Sequence, residues 1–277
     1  MPPALMFFPI SDDDRALSGV AYVSITLLVL NVLLFLVQLS DDTFTYGWSV
    51  IPYEITTGTD LTRAETIAGP NGERFQIPHQ PGPGGGAGAP LIYLTLISAM
   101  FMHGGWMHLG GNMLYLWIFG DNVEHRFGAL PFLGFYLVSG LAATAAQIVL
   151  DPNSVIPNLG ASGAISGVLG AYLVLFPRNK VNAIFLYMIV SIPAMVAIGA
   201  WIGLQFVSGW GALFASEQTG GVAYGAHIGG FFAGMLVALV MRSVIEEDKT
   251  DVLVRASQRD RSYPLGSKDR KGRRRWN

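Results

Sequence analysis

Cysteine is absent from the 277-residue chain, so a disulfide framework and a thiolate metal site are both excluded. Charge is scarce: Asp, Glu, Lys and Arg make up 13% of the residues, against roughly 25% in a soluble domain. A deficit of that size leaves much of the surface facing lipid rather than water. HExxH is missing as well, and His103 and His108 are five apart, so they do not share a helix face as two zinc ligands would. The two halves of the chain share no motif, which argues against the duplicated architecture of a transporter. What fills the space is apolar: 51% of residues are hydrophobic and the mean hydropathy is +0.44. The net charge of −2 points by itself to no class of partner.

The first long apolar run, Ser18 to Leu39, carries no charge. At helical rise it covers about 33 Å, enough to cross a bilayer. Asp12, Asp13 and Asp14 precede it where a signal peptide would have basic residues, so a retained span is expected. Further runs at about 105–125, 130–150, 161–177, 183–206 and 222–242 bring the expected total to six. Residues 40–104 form a long connection. It contains PGPGGGAGAP at 81–90, which is incompatible with regular structure, and Leu91 to Met100, too short to cross and read as interfacial or re-entrant.

With the N-terminus inside, fifteen Lys and Arg fall on the inner side and only Arg63 and Arg74 on the outer. This inside-positive bias puts both termini in the cytoplasm and makes 40–104 the first outer loop. The expected organisation is an N-terminal segment 1–17, a membrane domain 18–245 with a Gly/Pro-rich stretch 69–90 in its loop, and a basic tail 246–277. The tail reads as an orientation signal and lipid-headgroup contact rather than a nucleic-acid site.

Polar residues within spans are costly and face the bundle interior. His108 and Asn112 lie four apart on one face of the second span. Ser162 opens the fourth, and His227 sits in the sixth. Measured from Arg126, Arg178 and Arg242 at the inner ends, all four fall about 21–27 Å along their helices. They therefore share one layer just below the outer face. The fourth span is short and follows the irregular loop DPNSVIPNLG at 151–160. Such backbone at membrane depth must be buried in protein or line a wet cavity. Ser162 would stand in a first helical turn, where free N–H groups favour an oxyanion.

Gly160 lies just before the serine. Gly163 and Gly167 on span four are spaced by four, and Ser166 and Gly170 add to the same small surface; on span six Gly221, Gly225 and Gly229 are spaced by four, and Gly230 and Gly234 repeat the pattern. Such small-residue faces let helices approach closely, and packing of spans four and six would bring Ser162 near His227. Asp121 and Glu124, three apart at the inner end of span two, are expected to cap the loop before span three. Span five is rich in large apolar residues, which would suit a lateral gate for substrate.

Taken singly, Ser162 reads as a packing residue, His227 as a histidine bonded to a carbonyl, and His108 and Asn112 as helix bridges. Taken in order, GASG with Ser162, AHIGG with His227, and HGGWMHLGGNMLYLWIFGDNVEHRFG at 103–128 resemble the rhomboid family of intramembrane serine proteases. The resemblance covers about 90–245 and the first span. It implies an all-α, six-helix membrane bundle in the cell membrane, with Ser162 as nucleophile and His227 as base. It also implies that His108, Asn112 and the Ser162 N–H stabilise the oxyanion. The implied substrates are single-span membrane proteins in the lipid bilayer; no metal or cofactor and no nucleic acid is involved, and nothing in the residues sets an oligomeric state. The alternative is a non-catalytic rhomboid-like protein that binds membrane helices. Two departures stand out. The Trp-Arg pair of many rhomboid first loops is absent between 40 and 104, and Ser166 occupies a place that is aromatic in some members. No carboxylate on span six is placed to orient the histidine, so a dyad is expected.

Overall fold

Helix formation starts at Tyr22 without a capping side chain of its own: the run YVSITLLVLNVLLFLVQ makes α1 (Tyr22–Gln38), and no acidic residue stands in its first turn. Glu124 supplies the cap from elsewhere. Its carboxylate accepts from the backbone N–H groups of Val23 (2.9 Å) and Ser24 (2.7 Å) and from the Ser24 hydroxyl (2.8 Å). The expectation that Glu124 caps the loop before span three is therefore corrected. Unpaired N–H groups at the start of α1 draw the carboxylate into a buried position.

The computed structural model describes residues 8–12, 19–68, 74–77, 79, 90–186, 188–214 and 223–244. Most of the stretch 69–90, the tail 246–277, and Gly221 lie outside them. The chain is mostly helical. After α1 come two short helices, α2 (Asp42–Trp48) and α3 (Pro52–Thr57). An antiparallel pair β2 (Glu65–Ala68) and β3 (Arg74–Ile77) follows, preceded in the chain by β1 (Phe8–Asp12). Residues 90–101 form a short helical run around α4 (Thr95–Ser98), in keeping with a piece too short to cross. The long helices α5 (Trp106–Phe127), α6 (Ala129–Leu150), α7 (Ser162–Leu175), α8 (Ala194–Phe214) and α9 (Tyr224–Val244) complete the bundle. By length and hydropathy α6 and α9 can each cross a membrane; α1, α7 and α8 are shorter apolar helices within the described residues.

The expected fifth span at 183–206 is corrected at its start. Strands β4 (Lys180–Phe185) and β5 (Met188–Pro193) pair antiparallel there, with Val181 opposite Ile192 and Ala183 opposite Val190. Strand β1 adds to the other edge of β4, so the all-α expectation gives way to a helical bundle with two small sheets. The run KVNAIF…MIVSIP is rich in β-branched residues, and an apolar run of that kind does not itself distinguish strand from helix. Asp12 fastens β1 to the bundle. Its carboxylate accepts from Asn122 Nδ2 of α5 (2.8 Å) and from the Tyr172 hydroxyl of α7.

Helix α7 is the axis of the bundle, buried continuously from Gly163 to Tyr172. Its closest neighbour is α9. A Cβ added to Gly170 would collide with the Phe231 carbonyl, one at Gly230 with the Gly163 carbonyl, and one at Gly234 with the Gly167 carbonyl. The expected packing of spans four and six on Gly225 and Gly229 is corrected accordingly. Gly225 lies against Leu150 and Gln147, and Gly229 against Ala146, all on α6. Helix α9 has two small faces about a third of a turn apart, and the 230/234 face is the one on α7. Meanwhile Val29, Leu33, Leu204, Val207, Leu236 and Val240 are exposed, whereas Asn31, Ser139 and Asn122 are buried. Polar groups inside and apolar groups outside are the distribution expected of a lipid-embedded bundle.

Candidate active site

The loop 151–161 sets where α7 begins, and backbone contacts, among them Tyr53 N to the Ser154 carbonyl at 3.0 Å, hold it. Val50 and Asn158 exchange hydrogen bonds of 3.0 and 2.8 Å, and Gly160 N donates to the Ala99 carbonyl at 2.8 Å. The segment after α1 thus props the loop before α7. Gln38 adds a second anchor, donating to the His103 carbonyl at 3.0 Å and accepting from its N–H at 2.9 Å. These contacts do the anchoring where no Trp-Arg pair exists.

Gly160 has φ +123°, a conformation L side chains rarely adopt. A Cβ there would lie 2.7 Å from His108 Nε2 and 3.6 Å from Ser162 Oγ. Gly160 therefore brings His108 up to the serine and does not pack span four on span six as expected. Ser162 then opens α7, so the first-turn N–H groups have no intrahelical partner. Ser166, four residues on, donates its hydroxyl back to the Ser162 carbonyl at 2.6 Å.

His227 stands in the first turn of α9. Its Nε2 lies 2.8 Å from Ser162 Oγ, and its Nδ1 lies 2.7 Å from Oε1 of Gln205 on α8. One turn before Gln205, the Trp201 ring sits 5.9 Å from the imidazole, centre to centre, tilted by 37°. Neither residue follows from the motif spacing. The available signal is that Gln205 is an amide in a helix, AMVAIGAWIGLQFVSGWGALF, that is apolar apart from it and Ser208, a placement that usually marks an interior role. Trp201 supplies from α8 the aromatic that position 166 lacks.

His108 and Asn112 face the same cavity from α5. His108 Nδ1 accepts from Gly104 N at 3.3 Å, which leaves its Nε2 side toward Gly160 and the serine. Asn112 Nδ2 is buried with no hydrogen-bond partner among the described residues. His103 packs edge-on against His108, 5.2 Å between ring centres, and its backbone is the part held by Gln38. The cavity has a volume of about 530 Å³, and Tyr115, Trp201 and Leu169 separate it from an apolar pocket of about 310 Å³ between α5, α8 and the β4–β5 pair. Among the described residues no three His, Asp or Glu side chains gather as a metal site would require.

The arrangement sets an alcohol against an imidazole nitrogen, with amide and imidazole groups nearby. Residues 92–244, more than half of the chain, match the family model described as a rhomboid domain. The chain is 32% identical to Rhomboid protein 1, mitochondrial, of Saccharomyces cerevisiae, over 56% of this chain and 44% of that one. It is 35% identical to Rhomboid protease GluP of Bacillus subtilis, over 52% of this chain and 26% of the relative. It is 29% identical to the presenilin-associated rhomboid-like protein A, mitochondrial, of Danio rerio, over 50% of this chain and 37% of the other. The chain thus spans less than half the length of these relatives. They support a membrane protein; two are named as mitochondrial, so they do not single out the plasma membrane.

Proposed function

The chain belongs to the rhomboid family, and from that premise we propose that it is an intramembrane serine endopeptidase that cuts single-span membrane proteins in or near the transmembrane segment. The observation that carries this reading is the 2.8 Å separation of Ser162 Oγ and His227 Nε2 beside an open cavity. Helices α1 and α5 to α9 act as six crossings of a membrane domain 18–245. Residues 40–104 lie outside, and both termini lie on the inner, basic side, in line with the distribution of Lys and Arg.

Ser162 Oγ attacks the scissile carbonyl carbon while its proton passes to His227 Nε2. The carbonyl oxygen becomes an oxyanion, met by the Ser162 N–H, the Asn112 amide and the His108 ring. Such preorganised donors are each worth roughly 3–4 kcal/mol. The imidazolium returns its proton to the leaving amine as the C–N bond breaks, and an acyl-serine remains. Water from the cavity adds to that ester with His227 again as base. The proton then returns to Ser162 Oγ as the new carboxyl product leaves.

A fluorophosphonate probe tests this reading on detergent-solubilised protein. The parent should be labelled, and Ser162→Ala and His227→Ala should not. Labelling that persists in Ser162→Ala means another nucleophile. Absence of labelling in the folded parent favours a non-catalytic helix-binding protein.

A further inference from the structure

His227 is held by α8, a helix that carries neither the nucleophile nor the base. The Nδ1 to Gln205 Oε1 contact is 2.7 Å, and an amide oxygen only accepts. Nδ1 must then carry the ring proton, and Nε2 is left bare to accept from Ser162. The opposite amide orientation would put an NH₂ against Nδ1 and the proton on Nε2, facing a serine that it could not deprotonate. Trp201 lies one turn from Gln205 on the same face of α8 and covers the ring. No other side chain reaches Nδ1 among the hydrogen bonds of the described residues; Ser166 on α7, which also lines the cavity, donates its hydroxyl to the Ser162 carbonyl.

We propose that Gln205 is the positioning residue of the His227 base, an uncharged counterpart of a triad carboxylate, so that the working unit is Ser162–His227–Gln205 and is assembled only while α8 lies against α9. The proposal rests on the serine protease reading and adds to it a third group and a condition. Motion of α8 away from α9 breaks the Gln205 hydrogen bond and the Trp201 contact together, which frees the ring to take the wrong tautomer. An amide orients the imidazole but carries no charge to stabilise an imidazolium. Gln205 therefore contributes orientation without the electrostatic share that a carboxylate supplies.

The titratable groups sharing the cavity with His227 are His108 and Tyr115, both on α5. The experiment compares Gln205→Leu and Gln205→Glu with the parent. It measures the second-order rate of fluorophosphonate labelling across pH 5–9, together with melting temperature in detergent. Gln205→Leu should slow labelling about 10- to 100-fold, less than the ~10⁴ lost when a charged triad member is neutralised elsewhere. Gln205→Glu should retain labelling and move its acid limb to higher pH by about one unit, because a carboxylate favours the imidazolium. A side chain at 205 that does not reach Nδ1 would not shift that limb by so much. Parent-like rates in Gln205→Leu, or an unshifted acid limb in Gln205→Glu, overturn the proposal. If Gln205→Leu does not fold, the Gln205→Glu profile alone decides. Failure of the underlying reading is distinct: Ser162→Ala would then label as the parent does, whereas failure of this proposal leaves Ser162→Ala unlabelled and the Gln205 variants unchanged.

Discussion

Asn112 tests the proposed chemistry at the level of one side chain. Its Nδ2 is buried and unpartnered in the described structure, and a buried unsatisfied donor costs about 1–3 kcal/mol. An arriving oxyanion would recover that cost, whereas a merely bridging asparagine would already have a partner. Asn112→Ala should lower kcat about 10²- to 10³-fold with little change in KM. Its melting temperature should match or exceed the parent's, because an unpaired donor is removed. A large loss of stability with unchanged kcat would make Asn112 structural. The pairing of His108 with Asn112 was legible, since a spacing of four puts both on one helix face. Gln205 and Trp201 were not, because spacing within a helix says nothing about which foreign helix lies opposite. No aromatic stands at position 166 on α7, and the ring beside His227 comes instead from Trp201 on α8.

Among the elements, α3 carries a titrating group outside the crossings. Glu54 is buried, and its Oε1 accepts from Leu61 N at 2.8 Å. Burial pushes its carboxyl up to about 7, nearby Asp60 adds to the rise, and the Leu61 N–H opposes it. A raised carboxyl means that the folded chain holds a proton that the unfolded chain releases at about 4.5. Stability from this group is therefore present at acid pH and lost as pH rises from about 4.5 to about 7. Glu54→Gln, a neutral mimic of the protonated form, should melt like the parent at pH 4.5 and above it at pH 8. An identical difference at both pH values would refute this. The same scale holds the two corrected elements. Residues 183–193 were apolar enough for a span and became strands, because β-branched runs satisfy either pattern until a partner strand such as β1 is present. The glycines of α9 repeat every four residues in two sets, and spacing alone did not say that residues 225 and 229 meet α6 while 230 and 234 meet α7.

Across the whole molecule the polarity is inverted: Asn31, Asn122 and Glu124 are interior while apolar residues on α1, α8 and α9 are exposed. On the proposed reading, a substrate helix in the lipid passes between helices of the bundle to reach Ser162. The route we propose is the apolar pocket between α5 and α8, next to the cavity that holds Ser162 and His227. The chain has no cysteine, so Phe119→Cys with Ala197→Cys can be joined by a short crosslinker without side products. Crosslinking should slow cleavage of a membrane-embedded substrate at least several-fold while a small fluorophosphonate still labels Ser162. Unchanged proteolysis would rule out passage between α5 and α8. Scarce charge, long apolar runs and four polar residues at one depth determined by themselves that the chain suits lipid and where its chemistry gathers, because hydropathy and helical rise are local properties. Which helix supports the histidine, which glycines touch α7, and what caps α1 were decided only by the tertiary structure. Those are contacts between residues 22 to about 100 positions apart, and only packing selects them.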